Sequence, residues 1–353
     1  MLINQSDLSE ILRSSISGAT LNERHRIDTI ISTVASDEIT ARLDSDSSVN
    51  LRGIVDAHKN ILSEEASDLL SEIDIFGVNL DLCNAFARID SGHKQIIVFD
   101  GLLYLIRFYA DLVTILPLLN YYYPDETIEI NGEKESVAQL FSTAGLSLIV
   151  DYIENGGALV DLSPILGPVA KRNSELGYLG AIVFLLAHEA GHIELGHCDM
   201  SYHSERYVGN LAIKEEIDNY QNQEFEADEF AFYSITEETR NLFISSIIFF
   251  MGPLAYSEIF HFEEGRTHPL AANRLSNLSE KVTFPSDPKL EVALKEIMTG
   301  EIERFRGFSA QREAYNGDAR ERIREVISFE AAHSIIRGVT DRLKGQGLVL
   351  EAY

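Results

Sequence analysis

The chain has 353 residues and a formal net charge of -27 at pH 7, because 56 acidic residues outnumber 29 basic ones. Hydrophobic residues make up 45% and charged residues 24%, which are the proportions of a globular protein and not of a disordered acidic tail. A net charge this negative argues against a protein that binds nucleic acid through a basic face or that docks on anionic lipid by charge.

The sequence favours a cytoplasmic location. Two cysteines, Cys83 and Cys198, are too few for a disulfide framework and suit a reducing compartment. Asp7 and Glu10 stand where a signal peptide would need an apolar core. The uncharged run at 241–257 is short for a membrane span and has no basic flank, so we expect a buried core helix there and no membrane association.

The patterning predicts a mainly helical chain with a small β-sheet, an α+β fold. Residues 1–75 indicate several short amphipathic helices. The β-rich run at 95–99 predicts a strand, and residues 127–137 predict a turn or a short hairpin around Asn131-Gly132. Helices are predicted, in chain order, over 102–119, 138–155, 175–195, 213–233 and 239–250, from near 269 and 288, and twice in the last 50 residues.

The segment His188-Glu189-Ala190-Gly191-His192 lies inside the predicted helix at 175–195. Histidines four residues apart share one helix face, so both imidazoles can reach the same metal ion. Glu189 projects beside that face, where it can act as general base on a metal-activated water. This is the H-E-x-x-H signature of zinc enzymes, and it predicts bound Zn²⁺; the alternative is a helix with two incidental histidines.

A catalytic zinc site usually has three protein ligands, so a third ligand should follow. Glu224 and Asp228 are four residues apart on the predicted helix at 213–233 and therefore share a face. We predict that Glu224 binds zinc and that Asp228 accepts a hydrogen bond from the free ring nitrogen of a ligand histidine. Glu226 and Glu229 are expected to point elsewhere, into solvent. The alternative is that this is only a solvated acidic helix face.

Two further potential ligands follow the first motif. His197 comes five residues after His192, off the ligand face, and Gly196 before it indicates that the helix is ending. We expect His197 to have a capping or packing role instead of binding zinc. Cys198 lies beyond the helix end and is also a less favoured ligand.

Three motifs together resemble a known group of peptidases: HEAGHIELGH at 188–197, EFEAD at 224–228, and T-H-P at 267–269 followed by Arg274. This order is similar to the gluzincin metallopeptidases of the HtpX and CAAX-prenyl-protease type, which are membrane-embedded. It resembles more closely the soluble phage-exclusion proteases called Lit. The resemblance covers residues 180–280 and implies zinc bound by both histidines and the first glutamate of EFEAD.

The same resemblance assigns two residues further along the chain. His268 is predicted to stabilise the oxyanion of the tetrahedral intermediate or to contact the substrate, unless it is a surface residue at a helix start. Arg274 either anchors the cleft by pairing with a carboxylate, binds substrate carbonyls, or makes a structural salt bridge.

We predict a gluzincin-like metalloprotease core at 91–285, between helical regions at 1–90 and 286–353. The predicted function is a soluble zinc endopeptidase with one protein target, in phage defence or as a toxin-like effector; Lit-type proteases cleave a host translation factor. The alternatives are a membrane-associated housekeeping protease of the HtpX type, an inactive zinc-containing binding module, and a hydrolase of small amides.

A substrate would lie extended along a sheet edge, and the 95–99 run either belongs to that sheet or is a plain core strand.

Overall fold

The computed structural model describes residues 49–130, 133–198, 214–240, 243–258, 269–284, 287–315 and 328–345, together with Leu350. Over these residues the protein is mainly helical with a small sheet, which confirms the predicted α+β class. Residues 1–48, with the helices predicted there, and His268 lie outside the described residues.

Eleven helices and five strands are numbered here in chain order over the described residues. The helices are α1 (Leu51–Ala57), α2 (Glu64–Glu72), α3 (Asp100–Tyr122), α4 (Val137–Asn155), α5 (Pro168–Glu194), α6 (Lys214–Tyr233), α7 (Glu237–Arg240), α8 (Ile244–Glu258), α9 (Ala271–Lys281), α10 (Pro288–Tyr315) and α11 (Phe329–Gly345). The strands are β1 (Asp74–Val78), β2 (Ala85–Asp90), β3 (His93–Phe99), β4 (Thr127–Ile130) and β5 (Glu133–Ser136).

The larger sheet has the strand order β1-β3-β2, with β1 parallel and β2 antiparallel to β3. The predicted strand at 95–99 is confirmed as part of β3, and its residues Ile96 to Phe99 are fully buried. Since β3 lies in the middle of the sheet, it is a core strand and offers no edge to a substrate. Strands β4 and β5 pair antiparallel, so residues 127–137 form the hairpin; its turn at 131–132 lies outside the described residues.

Helix α5 is the central element of the described structure. Pro168 occupies its first turn, where a missing N–H costs nothing, and every residue from Gly180 to Gly191 is buried. A helix that is buried around its whole circumference belongs in a core. Helices α3, α6 and α8 and strand β2 pack around it. The predicted helix at 175–195 is therefore confirmed, and its two motif histidines are carried by a rigid element.

The described part of the apolar run at 241–257 is helical from Ile244 onward, so the helix is shifted from the predicted 239–250. The structure has a short helix, α7, and then α8, which begins at Ile244 and continues through Pro253. Packing explains the continuation: a Cβ on Gly252 would lie 2.2 Å from the ring of Tyr109, so the helix is held close to α3 at this point. Tertiary contact therefore outweighs the usual helix-breaking effect of proline.

Among the described residues, α3 and α5 are long and apolar enough to cross a membrane by length and composition alone. Most of each apolar window is buried inside the protein, which is also the property of core helices in soluble proteins. Helix α8 is shorter and also largely buried. These helices are compatible with a soluble protein.

Buried side chains from all three predicted regions, including Leu70, Phe184 and Phe305, belong to one hydrophobic cluster. Helix α10 packs on both α8 and α9, and α11 packs on α4. The division of the chain near residues 90 and 285 stays a prediction.

Candidate metal centre

Helices α5 and α6 bring three predicted ligand side chains together. Nε2 of His188 lies 3.2 Å from Nε2 of His192, which is one helical turn further along α5. The carboxylate of Glu224 on α6 closes the triangle, with Oε2 3.5 Å from Nε2 of His188 and Oε1 3.4 Å from Nε2 of His192. Two nitrogens and a carboxylate therefore face a common point.

The geometry of this triangle can be compared with that of a zinc site. Ligand atoms at 2.0–2.1 Å from a tetrahedral ion lie about 3.3 Å from one another. The three distances in the triangle are within a few tenths of an ångström of that value. Among the described residues His188, His192 and Glu224 form a group that could hold a metal ion, and imidazole with carboxylate is a donor set that suits zinc.

A glycine in the motif allows α6 to come this close to α5. A Cβ built on Gly191 would lie 3.0 Å from the ring of Phe230, which is tighter than ordinary van der Waals contact. A larger residue at this position would push the two helices apart. The spacing of Glu224 and Asp228 on α6 then directs both carboxylates towards α5.

Asp228 and Arg274 lie behind the triangle. Oδ1 of the fully buried Asp228 is 3.0 Å from Nδ1 of His188. Arg274 on α9 donates to both oxygens of Asp228, from Nε to Oδ2 at 2.7 Å and from Nη2 to Oδ1 at 2.6 Å, and its Nη1 lies 3.2 Å from Oε2 of Glu224. Of the alternatives left open for Arg274, the structure shows the pairing with carboxylates.

The charges in this cluster shift the pKa values of its members. Burial of the ring lowers the pKa of His188, but hydrogen bonds from the ring to Asp228 and Glu224 more than offset this and raise it to about 9. Burial raises the pKa of Asp228, whereas the charge and hydrogen bonds of Arg274 and the bond to His188 bring it below the usual value. Without a metal ion, the cluster therefore holds protonated His188 beside an ionised Asp228.

Glu189 is buried on α5 next to the ligand histidines. Burial raises its pKa, and the charges of His188 and His192 oppose that rise. A carboxyl group whose pKa lies above the usual range is better matched to accept and return a proton near neutral pH. Its environment therefore suits the general base predicted from the motif.

The end of α5 places His197 beside His192. Nδ1 of His197 lies 3.1 Å from Nδ1 of His192, and Nε2 of His197 lies 3.1 Å from Oε2 of Glu226. The expectation that Glu226 only points into solvent was thus incomplete, because its exposed carboxylate accepts this bond. Cys198 is buried, which raises the pKa of its thiol to about 12 in the metal-free protein, and it is not part of the group formed by His188, His192 and Glu224.

A cavity of about 450 Å³ lies against a different face of α6. None of the three predicted ligands lines it, although Glu226 does. It is therefore separate from the candidate metal centre. Its lining residues are Ser63, Glu65, Ala66, Leu195, Glu226, Glu229, Phe230, Tyr233 and Ser234.

Comparison with known proteins finds a match to a protein family. A family described as Peptidase U49 matches residues 174–294, about a third of the chain. The match indicates a peptidase and is consistent with the resemblance to the Lit proteases. Neither the curated proteins nor the solved structures contain a match to the chain. The matched segment includes His188, Glu189, His192, Glu224, Asp228, His268 and Arg274.

Proposed function

We propose that this protein is a zinc-dependent endopeptidase that hydrolyses a peptide bond in a specific protein substrate. One observation carries the proposal. The triangle of His188, His192 and Glu224 has the dimensions of a tetrahedral zinc site, beside the buried Glu189, within a segment that matches a peptidase family.

Each residue of the site has a separate proposed role in hydrolysis. Zinc bound by the three ligands supplies a Lewis acid for the scissile carbonyl and a water of lowered pKa. Glu189 takes the proton of the attacking water and returns it to the leaving amine. Asp228 holds the ring proton of His188 on Nδ1, so that the Nε2 lone pair faces the ligand triangle. Water is the nucleophile, so this route needs no acyl-enzyme.

The ion pairs of Arg274 support the same arrangement. Its guanidinium partly offsets the charges of Asp228 and Glu224 and fixes the positions of both carboxylates. His268 is proposed to hold the oxyanion or the substrate, as the T-H-P resemblance implies. The cellular role that we propose is cleavage of one cytoplasmic protein, in phage defence or as a toxin-like effector.

The test is a search for new protein termini. The zinc-loaded protein and its Glu189→Gln variant are incubated with a cell lysate, and the termini that form are compared by mass spectrometry. We expect cleavage only with the parent protein, and a loss of at least about 10²-fold in rate for Glu189→Gln with its zinc retained. Full activity of a zinc-loaded Glu189→Gln variant would contradict the mechanism.

Two further results separate the alternatives. Glu224→Ala is expected to lose bound metal, and stoichiometric zinc in this variant would identify a wrong third ligand. If the zinc-loaded parent protein produces no new termini in soluble or detergent-solubilised lysate, the endopeptidase proposal fails. The inactive binding module and the small-amide hydrolase would then remain.

A further inference from the structure

We infer that His197 and Glu226 form a relay that positions the ligand His192, a role that neither the motif nor the family match assigns. This inference rests on the zinc site proposed above. Neither residue belongs to the ligand triangle, so both are positioning residues and act on the metal only through His192.

The backbone at the end of α5 creates this contact. Gly196 has φ +75°, the left-handed conformation that favours glycine. The N–H of His197 donates to the carbonyl of His192 at 2.8 Å, and the N–H of Gly196 donates to that of Ile193 at 3.2 Å. These two bonds make a Schellman motif, which turns the chain back over the last turn of the helix. The side chain of His197 therefore meets a residue five positions earlier.

With His197 neutral, the hydrogen bonds of the relay run in one consistent direction. The carboxylate of Glu226 is an acceptor, so the proton of neutral His197 lies on Nε2 and its Nδ1 is left as an acceptor. Nδ1–H of His192 can then donate to that atom. This places the lone pair of His192 on Nε2, which is the atom that faces His188 and Glu224. The relay thus selects the tautomer of His192 that binds a metal.

The relay also fixes the orientation of the His192 ring. Without it, the Nδ1–H of this partly exposed ring would bond to water, and the ring could turn about its side-chain torsions. Hydrogen-bond partners of ligand histidines typically change metal affinity by about 10- to 100-fold. Because Glu226 is largely exposed, we place the effect of this relay near the lower end of that range.

The test measures zinc affinity and does not depend on knowing the substrate. Metal-free parent protein and the variants His197→Ala and Glu226→Gln compete with a chromophoric chelator for Zn²⁺. We expect both variants to bind zinc about tenfold more weakly than the parent protein. Glu229→Gln is the matched control, because this carboxylate lies on the same helix but pairs with Lys281 at 3.0 Å, and its affinity should equal that of the parent protein.

A double variant separates a relay from a general loss of structure. Since Glu226 acts through His197, His197→Ala combined with Glu226→Gln should bind zinc no more weakly than His197→Ala alone. Co²⁺ loaded into the site should show an altered d–d absorption spectrum in the His197→Ala variant, because the geometry of one ligand changes. Thermal unfolding of each metal-free variant provides the folding control.

The possible failures are distinguishable. A parent protein that binds no zinc would contradict the proposed function and this inference together. Tight zinc binding by the parent protein, with equal affinity in His197→Ala and Glu226→Gln, would overturn the relay and leave the proposed function intact. Additive losses in the double variant would show that the two residues act separately, which also overturns the relay.

Discussion

Each of the two proposed ligand histidines has hydrogen-bond partners on Nδ1. The partners of His188 are buried, whereas the carboxylate behind His192 is exposed. His188 donates directly to Asp228, which is 0% exposed and is held by the buried Arg274. His192 is supported through His197 by Glu226, whose side chain is 61% exposed. Both chains of hydrogen bonds end on a carboxylate, and each leaves Nε2 of its ligand free for a metal.

The difference in burial determines how much each set of hydrogen-bond partners contributes to stability and to metal binding. Charged hydrogen bonds are stronger in a low-dielectric interior, and a buried charge that loses its partner is correspondingly costly. Water screens the charge of Glu226 and can replace its hydrogen bond. We therefore expect loss of the hydrogen-bond partners of His188 to lower both stability and zinc affinity, and loss of the partners of His192 to lower zinc affinity with little effect on stability.

The largest expected effect comes from replacing Arg274, which holds the buried carboxylate that contacts His188. Arg274→Met leaves Asp228 and Glu224 without their guanidinium partner, and removing one member of a buried ion pair costs about 3–5 kcal/mol. Urea unfolding of the metal-free variant measures this loss. Lys281→Met, which removes the partner of Glu229 at the surface, should leave the unfolding midpoint nearly unchanged. Equal midpoints for the two variants would contradict the comparison.

A smaller effect is expected from the carboxylate that contacts His188. Asp228→Asn keeps the shape of the side chain but removes the charge that orients and polarises the ring, so zinc affinity should fall by about 10- to 100-fold. Competition with a chromophoric chelator measures the zinc affinities of this variant and of Glu226→Gln in parallel. Should Glu226→Gln weaken binding more than Asp228→Asn, burial would not be what ranks the two supports.

Measured per pH unit, the smallest effect is the dependence of zinc affinity on pH. His188 has a pKa of about 9 in the metal-free protein, so it is protonated at neutral pH and must lose its proton when zinc binds. Apparent zinc affinity should therefore rise with pH by at most about tenfold per unit from this group, and level off above about pH 9. Calorimetry in two buffers of different ionisation enthalpy counts the proton released, and no release would contradict the shift.

The sequence was sufficient to predict the elements that hold the site. The apolar surroundings and the i, i+4 spacing of His188 and His192 predicted a buried helix with both rings on one face, and α5 has this form. The same spacing in Glu224 and Asp228 predicted one shared face of a second helix. Local periodicity was enough here, because each prediction concerned residues within one or two turns of each other.

Other features depend on contacts that periodicity does not encode. The contact of His197 with Glu226 joins residues 29 positions apart and needs both the turn at Gly196 and the packing of α6. Strands β1 and β2 were not predicted, since most of their residues are only half-buried and no clean alternation marks them. The one available signal for the relay was Gly196 followed by a histidine at a helix end.

The ion pairs of Arg274 bear on the order in which the protein folds and binds its proposed metal. Together with protonated His188, the guanidinium offsets the charges of the two carboxylates that a zinc ion would otherwise balance. It is held in this position because α9 packs on α6, which in turn packs on α5. We therefore expect the chain to fold without zinc and to bind the proposed metal afterwards, unlike small zinc modules that stay unfolded without their ion. If the proposed zinc site is correct, a chelator should abolish the proposed peptidase activity without unfolding the protein, and added Zn²⁺ should restore that activity without a refolding step.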